Sequence, residues 1–138
     1  MPDPDCIFCK IVSGELPAEI VDTDERTVSF MDINPATRGH ALVIPRAHAE
    51  DLFTVSDEDL AATMLSARRL AERMRDTIHP DGFNILNSCG RAAWQTVFHF
   101  HLHVVPRYHD DPLELPWVPA PGDAGEIARV AAELRREA

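Results

Sequence analysis

The stretch Val97 to Arg107 reads Val-Phe-His-Phe-His-Leu-His-Val-Val-Pro-Arg, and it constrains the chain more than any other. Histidines at positions 99, 101 and 103 alternate with Phe100 and Leu102. β-Branched and aromatic residues dominate, and Pro106 breaks the run, so the spacing predicts a strand. Successive side chains of a strand point to opposite faces. His99, His101 and His103 therefore share one face, and Phe100, Leu102 and Val104 share the other. The apolar face buries into a core while the histidine face lines a cleft. A single histidine here would be an ordinary hydrogen-bonded core residue. Three in strict alternation are costly to bury without partners, so the row is read as functional.

Two chemistries want such a row. Neutral imidazoles bind transition metals such as zinc. Alternatively, one imidazole is a nucleophile at phosphorus, with its neighbours orienting it and handling protons. The spacing alone leaves both open.

With 138 residues the chain is long enough for one domain with a proper core. A formal net charge of −10 argues against non-specific binding to nucleic acid or to an anionic membrane surface. Any bound anion must be held by local dipoles and histidines. The start, Met-Pro-Asp-Pro-Asp-Cys, has no basic leader or apolar run, and no stretch approaches membrane-spanning length. Three cysteines, two of them closely spaced, make a poor disulfide framework and fit a reducing cytoplasm.

Cys6-Ile7-Phe8-Cys9 opens the ordered part. The spacing lets two thiolates grip one zinc ion. It also fits a redox pair, although the usual βαβ context is missing, or two small apolar residues in a short helix. That helix runs to about Ser13, and Gly14 ends it. Ile20–Val21 and Thr27–Met31 read as a hairpin, broken by Asp32-Ile33-Asn34-Pro35. Asp32 there either caps a turn or accepts sugar hydroxyls. Ala41–Ile44 is apolar enough for a central strand, flanked by His40 and His48. Ser56 with Asp59 begins a long amphipathic helix, with Leu60, Met64, Ala67, Ala71, Met74 and Ile78 on its inner stripe. Arg68, Arg69, Arg73 and Arg75 form its solvated face. Phe83–Leu86 is a further strand. The loop after it carries Asn87, Ser88, Gln95 and Thr96 into the histidine strand. Asp123 and Glu126 cap a last helix whose Ile127, Val130, Ala131 and Leu134 share a face. Strands and helices without a repeated βαβ unit make this α+β with a largely antiparallel sheet.

His99-Phe100-His101-Leu102-His103-Val104-Val105 resembles the signature of the histidine triad (HIT) superfamily of nucleotide hydrolases and transferases, His-φ-His-φ-His-φ-φ. The resemblance extends over Cys6–Ile11, Phe30–Pro35 and Gly39–His48, and so over nearly the whole chain up to Arg107. It implies a single HIT-like domain over residues 1–138, with a core of about 5–107 and a variable extension from 108. The implied fold has a mainly antiparallel five-stranded sheet, one long helix, a short N-terminal helix and a C-terminal helix.

By that resemblance His101 is the nucleophile that takes a nucleoside monophosphoryl group as a covalent intermediate. His103 contacts the phosphate and the leaving group, with His99 and Thr96 completing the catalytic set. Asn87 and Gln95 fall on the phosphate side, Asp32 on the ribose, and His40 beside the substrate. Phe8, Ile11, Leu16, Phe30 and Ile33 wall the base pocket. Zinc-bearing members imply a structural Cys₂His₂ site at Cys6, Cys9, His48 and His99, closed because four protein ligands leave no open position.

The expected activity is cleavage of a purine nucleoside phosphoramidate, or a related mixed anhydride, by a cytoplasmic homodimer. A dinucleoside polyphosphate hydrolase and a nucleotide-binding regulatory module with vestigial catalysis are the alternatives. Trp94 departs from the family pattern, in which many members carry Gly immediately before the Gln. A bulky side chain there is expected to restrict the leaving-group side or redirect the loop.

Overall fold

A computed structural model describes residues 2–136; Met1, Glu137 and Ala138 of the expected domain lie outside the described residues. The N-terminal helix α1 (Ile7–Ser13) is capped by Cys6, whose Sγ accepts the Cys9 N–H at 3.4 Å. It ends where Gly14 turns left-handed at φ +83°, a conformation glycine adopts without a steric cost. Strands β1 (Ile20–Thr23) and β2 (Thr27–Met31) form the expected hairpin. Asp24 holds its turn by accepting the N–H groups of Arg26 and Thr27 at 2.9 and 2.8 Å. Burial opposes ionisation of Asp24, but these amides, the Thr27 hydroxyl and Arg69 outweigh it and hold the pKa down to about 2.

Strand β3 (Ala41–Pro45), the long helix α2 (Asp57–Thr77), strand β4 (Gly82–Leu86), strand β5 (Leu102–Arg107) and helix α3 (Ala124–Arg136) complete the chain. All strand pairs are antiparallel, in the order β1-β2-β3-β5-β4. The wholly buried β3 is central, as its unbroken apolar run predicts. Ala41, Val43, Phe100, Leu102 and Val104 pack with Leu70 and Met74 of α2. Leu42, Ile44, Val28 and Phe30 pack with α1 on the other face. The sheet is thus closed by a helix on each side, and the histidine row lies on the α1 side.

Three expectations need correction. The strand was expected to begin at Val97, but ladder pairing begins at Leu102. The chain bends at 97–99, and the Phe100 N–H donates to Ala49 O at 2.7 Å instead of to a strand. The in-out alternation nevertheless persists through the unpaired part, with Phe100 in the core opposite His99 and His101.

The inner stripe of α2 is also turned. Thr63, Ser66, Ala67, Leu70 and Met74 are buried, while Met64 is 49% exposed. The two hydroxyls are satisfied in place: Thr63 donates to Asp59 O at 2.6 Å, and Ser66 meets Thr27 Oγ1 at 2.7 Å. Small satisfied side chains let the helix approach the sheet on that side. Nor is the arginine face merely solvated, because Arg69 pairs with Asp22 at 2.8 Å and Asp24 at 3.1 Å, tying α2 to the hairpin.

In α3, Asp123 accepts the Glu126 N–H at 2.8 Å as expected, yet Ile127, Val130 and Leu134 remain exposed. Among the described residues no helix is long and apolar enough to cross a membrane.

Candidate functional site

The start of α1, the segment after β3 and the entry to β5 converge on one four-donor cluster. Cys6, Cys9, His48 and His99 bring their ligand atoms within 4.8 Å of one another. His99 Nδ1 lies 3.4 Å from Cys6 Sγ, 3.6 Å from Cys9 Sγ and 3.3 Å from His48 Nδ1; His48 Nδ1 is 3.4 Å from Cys9 Sγ. Zinc bonds of about 2.3 Å to sulfur and about 2.0–2.1 Å to nitrogen give tetrahedral edges of about 3.4 Å (N to N) and about 3.6 Å (S to N). The cluster fits those edges.

Its surroundings fit as well. His99 Nε2–H donates to Pro45 O at 2.8 Å, so the Nδ1 lone pair faces the sulfurs. The N–H of Asp3 is aimed at Cys9 Sγ and that of Cys9 at Cys6 Sγ, as for thiolates that ligate a cation. Burial lowers the His99 pKa to about 4 and pushes the Cys6 thiol up. Neutral His99 is the ligating form, and a shared cation would supply the positive charge that favours the Cys6 thiolate over the thiol.

The other two triad histidines have their tautomers set by backbone partners. His101 Nδ1–H donates to His99 O at 2.7 Å, which leaves the Nε2 lone pair free. The Ala36 N–H donates to His40 Nδ1 at 2.9 Å, so His40 carries its hydrogen on Nε2 and gives it to His103 Nδ1 at 2.9 Å. His103 in turn carries its hydrogen on Nε2. A free lone pair on His101 thus stands beside a free N–H on His103, their rings 5.1 Å apart. Phe8 stands edge-on to His101, with ring centroids 5.1 Å apart. Burial lowers the pKa of His101, and burial with His101 and His40 nearby holds that of His103 down to about 4.

Asp32, His40 and His103 also form a three-donor group. It is a poor metal site, because His40 Nδ1 already accepts an N–H and its Nε2 therefore has no lone pair to offer. Asp32 caps a turn, one of the two readings considered for it, and keeps its other oxygen available. Its Oδ1 caps the Asn34 N–H at 2.7 Å, while Oδ2 stays 3.5 Å from His40 Nε2 with acceptor capacity to spare.

The loop before the triad divides its polar residues between scaffold and an exposed cleft that the triad histidines do not line. Gln95 is buried, and its amide is spent on Gly90 N, Glu50 O and Val97 O at 2.8–3.1 Å. Asn87 Nδ2 holds His101 O at 2.9 Å. Both brace the loop and triad, whereas Thr96 is exposed and lines a 260 Å³ cleft with Asp3, Asp5, Ile7 and Phe98. Of the expected base-pocket wall, Phe8, Ile11 and Phe30 are buried in the α1 core cluster. Leu16 and Ile33 are exposed, Ile33 at 89%. Trp94 is 76% exposed and left-handed at φ +72°, which gives a backbone reason for glycine at this point. The Ala36 amide was invisible to sequence reasoning because a backbone donor leaves no side-chain signal. Asp3, whose carboxylate lies 3.9 Å from His48 Nε2, also went unread.

The sequence pattern described as the HIT domain matches residues 13–110, most of the chain and the whole triad. The chain belongs to the HIT family. Its HIT domain is 43% identical over 103 residues to the "Protein hit" of Bacillus subtilis, covering 75% of this chain and 71% of that one. A Zn-bound histidine triad family protein from Mycobacterium smegmatis is 43% identical, with a TM-score of 0.77, over 97% of this chain and 98% of its own. A histidine triad nucleotide-binding protein from Candida albicans is 30% identical, with a TM-score of 0.85, over 96% of each chain. The matched HIT pattern begins after Cys6 and Cys9, so the cysteine half of the cluster stands outside it.

Proposed function

We propose that the protein is a nucleotide hydrolase or transferase that cleaves a nucleoside 5′-monophosphate from a small leaving group through a nucleotidyl-histidine intermediate on His101. The observation that carries this reading is the His101 Nδ1–H bond to His99 O, which leaves Nε2 as a buried, neutral nucleophile. In the first displacement Nε2 bonds to the α-phosphorus and the bond to the leaving group breaks. A carboxylate or phosphate leaves as an anion, whereas a leaving nitrogen takes one proton from solvent and departs as the amine, with the His103 Nε2–H donating to the phosphate. In the second displacement water attacks phosphorus, the P–N bond to His101 breaks, and the proton lost by water goes to solvent. Splitting one displacement into two is the general advantage of covalent catalysis.

Asp32 Oδ2 is the acceptor for ribose hydroxyls, and the exposed Leu16 and Ile33 offer apolar surface to a purine. Thr96 takes the phosphate or leaving-group side. Cys6, Cys9, His48 and His99 would hold one zinc ion, a structural metal that contributes folding energy. The exposed apolar face of α3 suits an assembly with a second copy. The chemistry fits the nucleotide pools of a reducing cytoplasm.

The test is mass spectrometry of protein quenched after brief incubation with adenosine 5′-phosphoramidate. An adduct of nucleotide mass on His101, absent in His101→Ala, is the expected result. A His101→Ala enzyme with activity within about tenfold of the parent would end this reading.

A further inference from the structure

The triad is held in two different ways. His103 lies inside the sheet, paired with Leu42 of β3 and Leu86 of β4. His99 and His101 precede Leu102, where β5 begins. Between them the backbone is tied by Phe100 N–H to Ala49 O, and by Asn87 Nδ2 to His101 O. Neither bond touches the His99 carbonyl, the group that orients the nucleophile.

The ring of His99 is its other attachment. It is wholly buried and engaged at both nitrogens, Nε2–H on Pro45 O and Nδ1 in the cysteine cluster. The same residue then presents its carbonyl to His101 Nδ1–H at 2.7 Å. We infer that His99 is a positioning residue that carries the Cys6/Cys9/His48 metal clamp through to the nucleophile, so that clamping its ring keeps its carbonyl where His101 must point Nδ1–H. A neutral imidazole carries its single hydrogen on either nitrogen, and the hydrogen bond it makes selects which. When the carbonyl is free to drift, the selection weakens and a share of His101 carries its hydrogen on Nε2, the atom that must attack. The clamp therefore prepares the site as well as stabilising the fold.

This inference rests on the reading of His101 as nucleophile for its meaning, although not for its measurement. The test is ¹⁵N NMR of histidine-labelled full-length protein, zinc-loaded and after chelation, with amide exchange followed along residues 97–107. Zinc-loaded protein should show His101 as a single Nδ1–H tautomer. Chelation should convert His101 to a mixture and speed exchange at 99–101, while His103 keeps its tautomer and 103–107 stay protected. The rate constant kcat should fall by about tenfold or more, with nucleotide Kd changed by less than about twofold. A single Nδ1–H tautomer of His101 that survives metal removal overturns the inference.

Should chelation unfold the chain, cadmium-substituted protein replaces it. Longer metal–ligand bonds should shift the His101 ring resonances and leave those of His103 in place. Identical His101 resonances in zinc and cadmium forms overturn the inference. The His101→Ala assay reports separately on the nucleophile, so failure of that reading is distinguishable from failure of the coupling.

Discussion

His40 Nε2 sits 2.9 Å from His103 Nδ1, and the hydrogen between them belongs to His40 because the Ala36 N–H occupies its other nitrogen. This one-way chain leaves the His103 Nε2–H free to donate to the substrate proposed above. Removing His40 frees His103 to flip its tautomer and turn a lone pair toward phosphate oxygens. His40→Ala is expected to lower kcat by about 10²-fold, within the usual range for general acid–base assistance, with a small change in KM. The assay is steady-state kinetics on one phosphoramidate. A large rise in KM at unchanged kcat would make His40 a binding residue.

Asp32 has one oxygen in a turn and one facing the site. Asp32→Asn keeps a side-chain oxygen able to cap Asn34 but removes the charge offered to ribose. Binding of ribonucleotides should weaken by about 1.5–3 kcal/mol, the range for a hydrogen bond to a charged group, while dideoxy counterparts lose far less. Calorimetric titration of both series measures the difference, and equal losses would reduce Asp32 to a turn cap.

Much of this was legible in the sequence where local chemistry and tertiary structure agree. Gly14 closes α1, the apolar run at Ala41–Ile44 is the central strand, and the histidine alternation puts all three rings on one side. The misreadings came from partners distant in sequence. Phe100 N–H goes to Ala49 O, so the strand starts late. Ser66 finds Thr27 across the fold, so a polar position lies on the buried stripe of α2. Gln95, expected on the phosphate side, also reaches across the fold to Glu50 O, a brace that its position in the loop does not reveal. No local pattern encodes such partners, and the family resemblance covered the residues without disclosing what their side chains touch.

The depressed pKa of His103, about 4 against an ordinary 6.5, makes stability depend on pH. Between those values the unfolded chain binds a proton that the native state refuses, so stability rises with pH. The contribution is present above pH 6.5, falls as pH drops below it, and levels off near pH 4. Urea unfolding from about pH 7.5 to about pH 4.5 should show this slope, and His103→Asn should make it shallower, with the buried His99, His101 and His40 supplying the rest. Equal slopes in the two proteins would contradict the assignment. Activity should follow the same sense, since the nucleophile proposed at His101 attacks in its neutral form and burial lowers its pKa too.

Metal content is a direct measurement. Protein purified without chelator should contain about one zinc per chain, the stoichiometry of a Cys₂His₂ set. The pair Cys6→Ser and Cys9→Ser should abolish it and lower Tm, since metal binding free energy is also folding free energy. Zinc-free protein with an unchanged Tm in the double variant would return both cysteines to simple packing.

Trp94 combines two properties that a substitution can separate. Its backbone is left-handed at φ +72°, which costs an ordinary residue roughly 1–2 kcal/mol and glycine almost nothing. Its side chain is 76% exposed, so little burial is lost on removing it. The turn itself survives, because Trp94 N–H to Arg91 O and Gln95 N–H to Gly90 O are backbone bonds. Greater chain entropy in the unfolded state takes back part of the gain. Trp94→Gly should therefore raise stability by about 0.5–1 kcal/mol, a Tm increase of roughly 2–4 °C for a chain of this size. A lower Tm would mean that the indole packs against something that outweighs the strain. The kinetic arm compares leaving groups: if the indole restricts the leaving-group side, Trp94→Gly raises kcat/KM for bulky leaving groups more than for small ones. Equal rate ratios across that series, alongside the expected Tm gain, would leave Trp94 as backbone strain with no part in specificity.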